Sequence, residues 1–313
     1  MKTDQAGVVR RYRPLAELVP AHWQTGSVEA QDGARLHYTR TGGAKPAVLL
    51  LHGLQGAGLT WLRTARALGA AYDVVLPDLR GHGRSKRIGA GLSMDLLVDD
   101  ALTLVEALGL ERPFVVGHSL GADIAGRVAA AAPTRAVVLV DPALRNVAGA
   151  LALDPDAPPP WLVPILETLR ALREQTHPER LESGLRLLPP GARPWDETDY
   201  VSFVEAQAQF DPEVFRYASG LGYLFEEPAV IARIACPILL LTARPMGPGA
   251  DSDAVAAAFE RQWRDGRRVH FADSGHFIPF DQPERFVAEL TRFLDEHESP
   301  SRSSPGSVRP PLA

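Results

Sequence analysis

Gly117-His118-Ser119-Leu120-Gly121 follows the apolar run Phe114-Val115-Val116 and precedes the small-residue stretch 122–132. A Gly-x-Ser-x-Gly set between a buried strand and a helix makes a sharp turn. The turn lifts the serine hydroxyl out of the sheet, and the two glycines relieve crowding at the corner. Ser119 is therefore the candidate nucleophile. The pentapeptide alone is a weak signal, because glycine is common; its place between a strand and a helix gives it weight.

Working outward, β-rich runs alternate with helical patterns. Strands are predicted at 47–51, 73–77, 114–118, 136–140, 237–242 and 268–272. Asp32-Gly33 reads as a hairpin turn between strands at 27–30 and 35–39. Several of these runs are unbroken Val, Ile and Leu, which suits a parallel sheet buried on both faces. Ser93 is placed to cap a helix that runs to about Leu108 and stops at Gly109, and 286–294 is amphipathic. Such alternation implies a doubly wound α/β fold. From about Asn146 to Arg233 the alternation stops. This stretch has helix-like spacing, several prolines and aromatics including Trp161, Trp195, Phe203, Phe210, Phe215 and Tyr223. It predicts a helical subdomain in which most of the rings form the core and two or three line a substrate pocket.

A chain of 313 residues, 45% hydrophobic and 23% charged, can bury one large α/β core with an inserted subdomain. A net charge of -5 argues against nucleic-acid binding. The one cysteine, Cys236, permits no intrachain disulfide and reads as a small core residue beside the apolar run 237–241. Residues 1–20 carry no continuous apolar segment, so no secretory signal is expected. No run approaches the ~20 apolar residues that span a bilayer, and a cytoplasmic location is the expectation. The organisation read from the chain is an N-terminal extension (1–24), a core (25–145 and 234–297), a helical insert (146–233) and a disordered tail (298–313) rich in Ser, Pro and Arg. No His-Glu-x-x-His or paired-cysteine spacing occurs, so no metal is expected. No Gly-x-Gly-x-x-Gly follows a strand, so neither a dinucleotide nor another cofactor is expected.

Three further stretches join the pentapeptide. They are Leu49-Leu50-Leu51-His52-Gly53, Asp78-Leu79-Arg80-Gly81-His82-Gly83-Arg84-Ser85 and Ser274-Gly275-His276-Phe277. With these four motifs in order, the chain resembles the α/β-hydrolase family over roughly 28–294. The resemblance implies a mostly parallel central sheet flanked by helices, with 146–233 as an inserted helical cap. Ser119 needs an adjacent base, and His276, after the last strand, fits the family's order of serine, acid, histidine. His52, His82 and His118 read as structural. The resemblance also implies an oxyanion hole made by the backbone N–H groups of Leu54 and Leu120. Asp123, four residues after Ser119, reads as a buried polar partner of a nearby loop.

The acid departs from the pattern. Most relatives place an aspartate shortly after the seventh strand, where this chain has Thr242-Ala243-Arg244-Pro245-Met246-Gly247. Two replacements are available. Asp141, ending Val138-Leu139-Val140-Asp141-Pro142, occupies a position used by some relatives; Asp251 or Asp253 follows the displaced turn. An Asp-Pro can also simply start a turn, and Asp251 and Asp253 can cap the helix predicted at 254–263. Asp141 is favoured, with Asp251 as the alternative, because the base must be oriented by a third group.

The implied activity is hydrolysis of a carboxylic ester, thioester or lactone through an acyl-enzyme on Ser119, with His276 as general base. The aromatic-rich cap implies a medium-sized, largely apolar small-molecule acyl substrate. Epoxide hydrolases and haloalkane dehalogenases carry an aspartate at the elbow, which Ser119 is not. A carbon–carbon bond hydrolase acting on a diketone-type substrate is one alternative reading. A non-catalytic ligand-binding receptor is another, motivated by the missing acid.

Overall fold

The unbroken apolar runs become strands closed to solvent on both faces. The computed structural model describes residues 5–85, 88–89, 91–142, 157–188, 195–218, 220–221, 224–244 and 252–298. A hairpin of β1 (Gln24–Glu29) and β2 (Arg35–Arg40) leads into β3 (Ala47–Leu51), β4 (Asp73–Pro77), β5 (Phe114–His118), β6 (Val137–Val140), β7 (Ile238–Ala243) and β8 (Gly266–Phe271). From β3 to β7 every strand residue is buried. The sheet order is β1-β2-β4-β3-β5-β6-β7-β8, with β2 antiparallel to both neighbours and all other pairs parallel.

All the predicted strands form, and the central ones keep their predicted ends closely. The edges shift more: β1 starts at Gln24 rather than at 27, and β8 at Gly266 rather than at 268. Those ends are set by pairing, Gln24 with Arg40 and Gly266 with Ile238, and not by apolar patterning.

Helices α1 (Gln5–Val9) and α2 (Leu15–Leu18) precede the sheet. Of the flanking helices, α3 (Leu62–Leu68) lies on one face, and α4 (Met94–Ala107) and α5 (Leu120–Ala131) on the other. Ser93 caps α4 by accepting from the Leu96 N–H at 3.2 Å, and Gly109 beyond its end has φ of 61°. Leu49, Leu51, Val115 and Leu139 pack against Leu97, Ile124 and Val128. The alternate residues Leu50, Val116 and Val138 face the opposite layer, with Leu68, Phe286 and Leu290. Cys236 is half-buried against the first layer, and burial pushes its thiol up to about 11.

Between β6 and β7 the described residues form α6 (Val163–Glu174), α7 (His177–Gly184), α8 (Glu197–Gln209), α9 (Val214–Ala218) and α10 (Pro228–Ile231), with no strand among them. Leu172, Leu181, Tyr200, Val201 and Val204 of this insert form a buried cluster with Val9 of α1, Leu18 of α2 and Leu62 of α3. The N-terminal segment thus packs on the insert, and Arg13 pairs with Glu197 at 2.6 Å. Phe203 is buried in this cluster, whereas Phe210 and Phe215 are buried in the cluster on the α4–α5 face of the sheet, and Trp161 is 52% exposed. Tyr223 lies outside the described residues, as do 299–313 of the predicted tail. After β7 come α11 (Ser252–Glu260), and after β8 α12 (Ile278–Asp281) and α13 (Pro283–His297).

Two ion clusters, each built on a buried charged side chain, fix loops that bear on the site. Arg80 donates to Asp100 at 3.0 and 2.7 Å and to Asp32 of the hairpin turn at 2.7 Å. Asp123 on α5 accepts the Leu224 N–H at 2.6 Å, with Arg127 at 3.8 Å, and so docks the returning end of the insert. Burial pushes the Asp123 carboxyl up to about 7. Among the described residues no helix is long and apolar enough to cross a membrane.

Candidate active site

The parallel strands end on one edge, and the loops leaving that edge carry the motifs. His52-Gly53 follows β3, Ser119 follows β5, Asp141 follows β6, and Ser274-Gly275-His276 follows β8. In open α/β sheets this carboxyl edge is where ligands bind.

Ser119 is held in a left-handed conformation, φ 52° and ψ -119°, between β5 and α5. Its N–H donates to the Val140 carbonyl at 2.9 Å. The flanking glycines are sterically required. A Cβ on Gly117 would lie 1.9 Å from the Gly121 carbonyl oxygen, and one on Gly121 would lie 2.2 Å from the Leu51 carbonyl oxygen. Leu120 is the first residue of α5, so its N–H has no intrahelical acceptor. Gly53 comes so close that a Cβ there would sit 3.1 Å from the Ser119 Cβ, which brings the Gly53-Leu54 backbone alongside the serine.

Asp141 and His276 are joined directly. His276 Nδ1 lies 2.7 Å from Asp141 Oδ2, and both side chains are mostly buried. Facing a carboxylate, Nδ1 carries the proton, which leaves the Nε2 lone pair free to accept one. The other carboxylate oxygen, Oδ1, accepts the Ala243 N–H at 2.9 Å. Asp141 also has positive φ, 42°, and its own N–H donates to the Leu241 carbonyl at 2.8 Å. The side chain is thus fixed from β7 on one side and from the histidine loop on the other. Asp251 and the side chain of Asp253 lie outside the described residues, as do Pro245, Met246 and Gly247.

The other histidines are wired into backbone. His118 Nε2 donates to the His276 carbonyl at 2.8 Å, and the two rings lie 4.6 Å apart. Burial, reinforced by His276, lowers His118 to about 3, so it is a neutral anchor for the histidine loop. His52 Nδ1 donates to the Gly53 carbonyl at 2.8 Å while its Nε2 accepts the Leu79 N–H at 3.0 Å. His82 repeats the pattern, Nδ1 to the Arg80 carbonyl at 2.9 Å and Nε2 from the Gln55 N–H at 3.2 Å. Asp78 accepts from His37 at 3.0 Å and from the Arg84 and Gly58 N–H groups at 2.8 and 2.7 Å. Burial alone would raise its carboxyl, and these hydrogen bonds outweigh that and hold it below the ordinary value.

Sequence reasoning missed Asp281 and Gln207. Asp281 Oδ2 accepts the Gly275 N–H at 2.9 Å and the Ser274 hydroxyl at 3.2 Å, while Oδ1 accepts the Trp195 Nε1–H at 2.9 Å. Its place five residues after His276 was the available signal. Gln207 of α8 donates to the Gln55 carbonyl at 3.0 Å across 152 residues, a contact with no local signature. Phe277, Trp195, Phe203 and Phe280 build an aromatic wall beside His276, with Trp195 5.3 Å from Phe277 and His276 5.6 Å from it.

A mostly parallel sheet with a strained serine, a histidine and its carboxylate on the carboxyl edge defines a hydrolase of the α/β type. The chain belongs to the alpha/beta hydrolase family, whose model matches residues 48–289. It is similar to an N-formylmaleamate deformylase of Pseudomonas putida, 31% identical over 288 residues, which is 86% of this chain and 96% of that protein. It is also similar to the dihydrolipoyllysine-residue acetyltransferase component of an acetoin cleaving system of Cupriavidus necator. That match is 39% identical over 113 residues, 36% of this chain, and spans only 30% of that protein's length. Among solved structures, an N-formylmaleamic acid deformylase variant from Pseudomonas putida S16 shares the fold, with a TM-score of 0.65, 22% identity, and coverage of 85% of this chain and all of that one.

Proposed function

We propose that this hydrolase cleaves a carboxylic ester, thioester or lactone by acyl transfer to Ser119. The observation that carries the reading is the 2.7 Å contact between His276 Nδ1 and Asp141, a carboxylate in reach to orient the base. Ser119 Oγ attacks the carbonyl carbon while His276 Nε2 takes its proton. Asp141 holds Nδ1–H and stabilises the imidazolium that forms. The Leu54 and Leu120 N–H groups hold the oxyanion of the tetrahedral intermediate. The leaving alcohol or thiol takes the proton from His276, and the acyl-enzyme forms. Water deprotonated by His276 then releases the acid. The insert between β6 and β7 acts as a cap, and the aromatic wall of Phe277, Trp195 and Phe203 favours a medium-sized, largely apolar acyl group. A serine at the elbow argues against epoxide opening through an alkyl-enzyme ester, which needs a carboxylate nucleophile.

A second reading, hydrolysis of an N-formyl amide by the same groups, is favoured by the similarity to the deformylase along 96% of that protein. One experiment separates the two: p-nitrophenyl esters of graded acyl length and a set of N-formyl amides are assayed with wild type, Ser119→Ala and Asp141→Asn. Ester turnover that Ser119→Ala abolishes, and that Asp141→Asn lowers by roughly 10³- to 10⁴-fold, is the expected result. Turnover of formyl amides alone moves the reading to the second. No turnover of either, in folded protein, overturns both and leaves carbon–carbon bond hydrolysis or ligand sensing.

A further inference from the structure

Gly53, Leu54, Gln55 and Gly56 form a tight turn, closed by the Gly56 N–H donating to the Gly53 carbonyl at 3.0 Å. Its third residue, Gln55, has φ of 64°. Turns of this kind normally place glycine or asparagine there, because a side chain is strained at positive φ. Such strain persists only where the surroundings hold it.

Two hydrogen bonds hold it here, one on each side of Gln55. The N–H donates to His82 Nε2 at 3.2 Å, and the carbonyl accepts from Gln207 Nε2 at 3.0 Å. Gln207 is 4% exposed and belongs to α8, the last turn of which docks on this region. Phe210 lies 5.0 Å from the His82 ring, and the Asp211 N–H donates to the Gly81 carbonyl at 2.8 Å. One anchor therefore comes from the core and the other from the insert.

We infer that Gln207 is a positioning residue that locks the Gly53–Gly56 turn and so makes the aim of the Leu54 N–H depend on the seating of α8. If the Gln55 carbonyl is released, the residue relaxes toward negative φ and the turn rearranges. The Leu54 N–H then drifts from the side of Ser119. The inference rests on the acyl-transfer reading for its catalytic consequence but not for its structural one.

Gln207→Leu puts an apolar side chain, one bond shorter, in the same buried place and removes the donor. On p-nitrophenyl butyrate its kcat is expected to fall roughly tenfold to a hundredfold with KM within about threefold, less than the 10² to 10³ that loss of a whole oxyanion donor costs. Adding Gln55→Gly is expected to restore most of that kcat, because glycine takes positive φ without support. The Gln55 amide should also exchange with solvent at least about tenfold faster in Gln207→Leu than in wild type. That exchange needs no turnover. A wild type inert toward esters thus sinks the acyl-transfer reading and leaves exchange to decide the role of Gln207. Should the leucine variant not fold, Gln207→Met, which matches the length of glutamine and carries no donor, is expected to give the same losses. Unchanged exchange overturns the inference, as does a loss of kcat that Gln55→Gly fails to recover.

Discussion

Ser119 and Asp141 both hold positive φ, 52° and 42°, at the ends of neighbouring strands. Each such non-glycine residue costs on the order of 1–3 kcal/mol, which the β5–β6–β7 hydrogen bonds offset. The strain at Ser119 is enforced by the glycines beside it. Gly117→Ala would drive a methyl to 1.9 Å from the Gly121 carbonyl oxygen, and backbone cannot yield as a side-chain tip can. The serine is then displaced. Labelling of Ser119 by a fluorophosphonate should slow by roughly 10²-fold, the scale of a ~1 Å misplacement. An unchanged labelling rate would mean that the corner relaxes without moving the hydroxyl. Ser119 and His276 were legible as candidates because each sits in a contiguous motif. The candidate acid was less so, since an Asp-Pro after a strand reads equally as a turn. What singles out Asp141 is its reach to the Ala243 N–H and to His276, residues 102 and 135 positions away.

At the scale of elements, unbroken apolar runs announced the strands of the sheet. The docking of the insert left no such trace, because an amphipathic helix tells which face is buried and not what covers it. The Asp78–Ser85 loop was readable as a motif, and the structure supplies its physical reason. Arg80 inside it is buried and ties the β1–β2 turn, through Asp32, to α4, through Asp100. Arg80→Ala leaves the Asp100 carboxylate buried without its cation. Unfolding in urea should show a loss of about 3–5 kcal/mol, the cost of breaking a buried pair by removing one partner. A loss below about 1 kcal/mol would place this pair with surface ion pairs instead.

Across the whole molecule, two sets of buried groups pull stability in opposite directions with pH. Burial lowers His52, and lowers His82 and His118 from 6.5 to about 3. As pH falls from 6.5 toward 3, the unfolded chain binds protons that the folded protein refuses, so these histidines withdraw stability on acidification. Burial raises Asp123 from 3.8 to about 7 and Asp199 to about 6. Their folded forms hold a proton that the unfolded chain releases near 3.8, so their contribution is present in acid and is lost as pH rises through 6 to 7. The two sets offset each other between these limits. Asp123→Asn keeps an oxygen for the Leu224 N–H and removes one member of the second set. Its unfolding free energy, measured in urea from about pH 4.5 to about pH 7.5, should fall more steeply on acidification than that of wild type. Parallel curves would show that Asp123 is ionised throughout, with Arg127 at 3.8 Å outweighing burial as the control on the docking of α5 to the returning end of the insert.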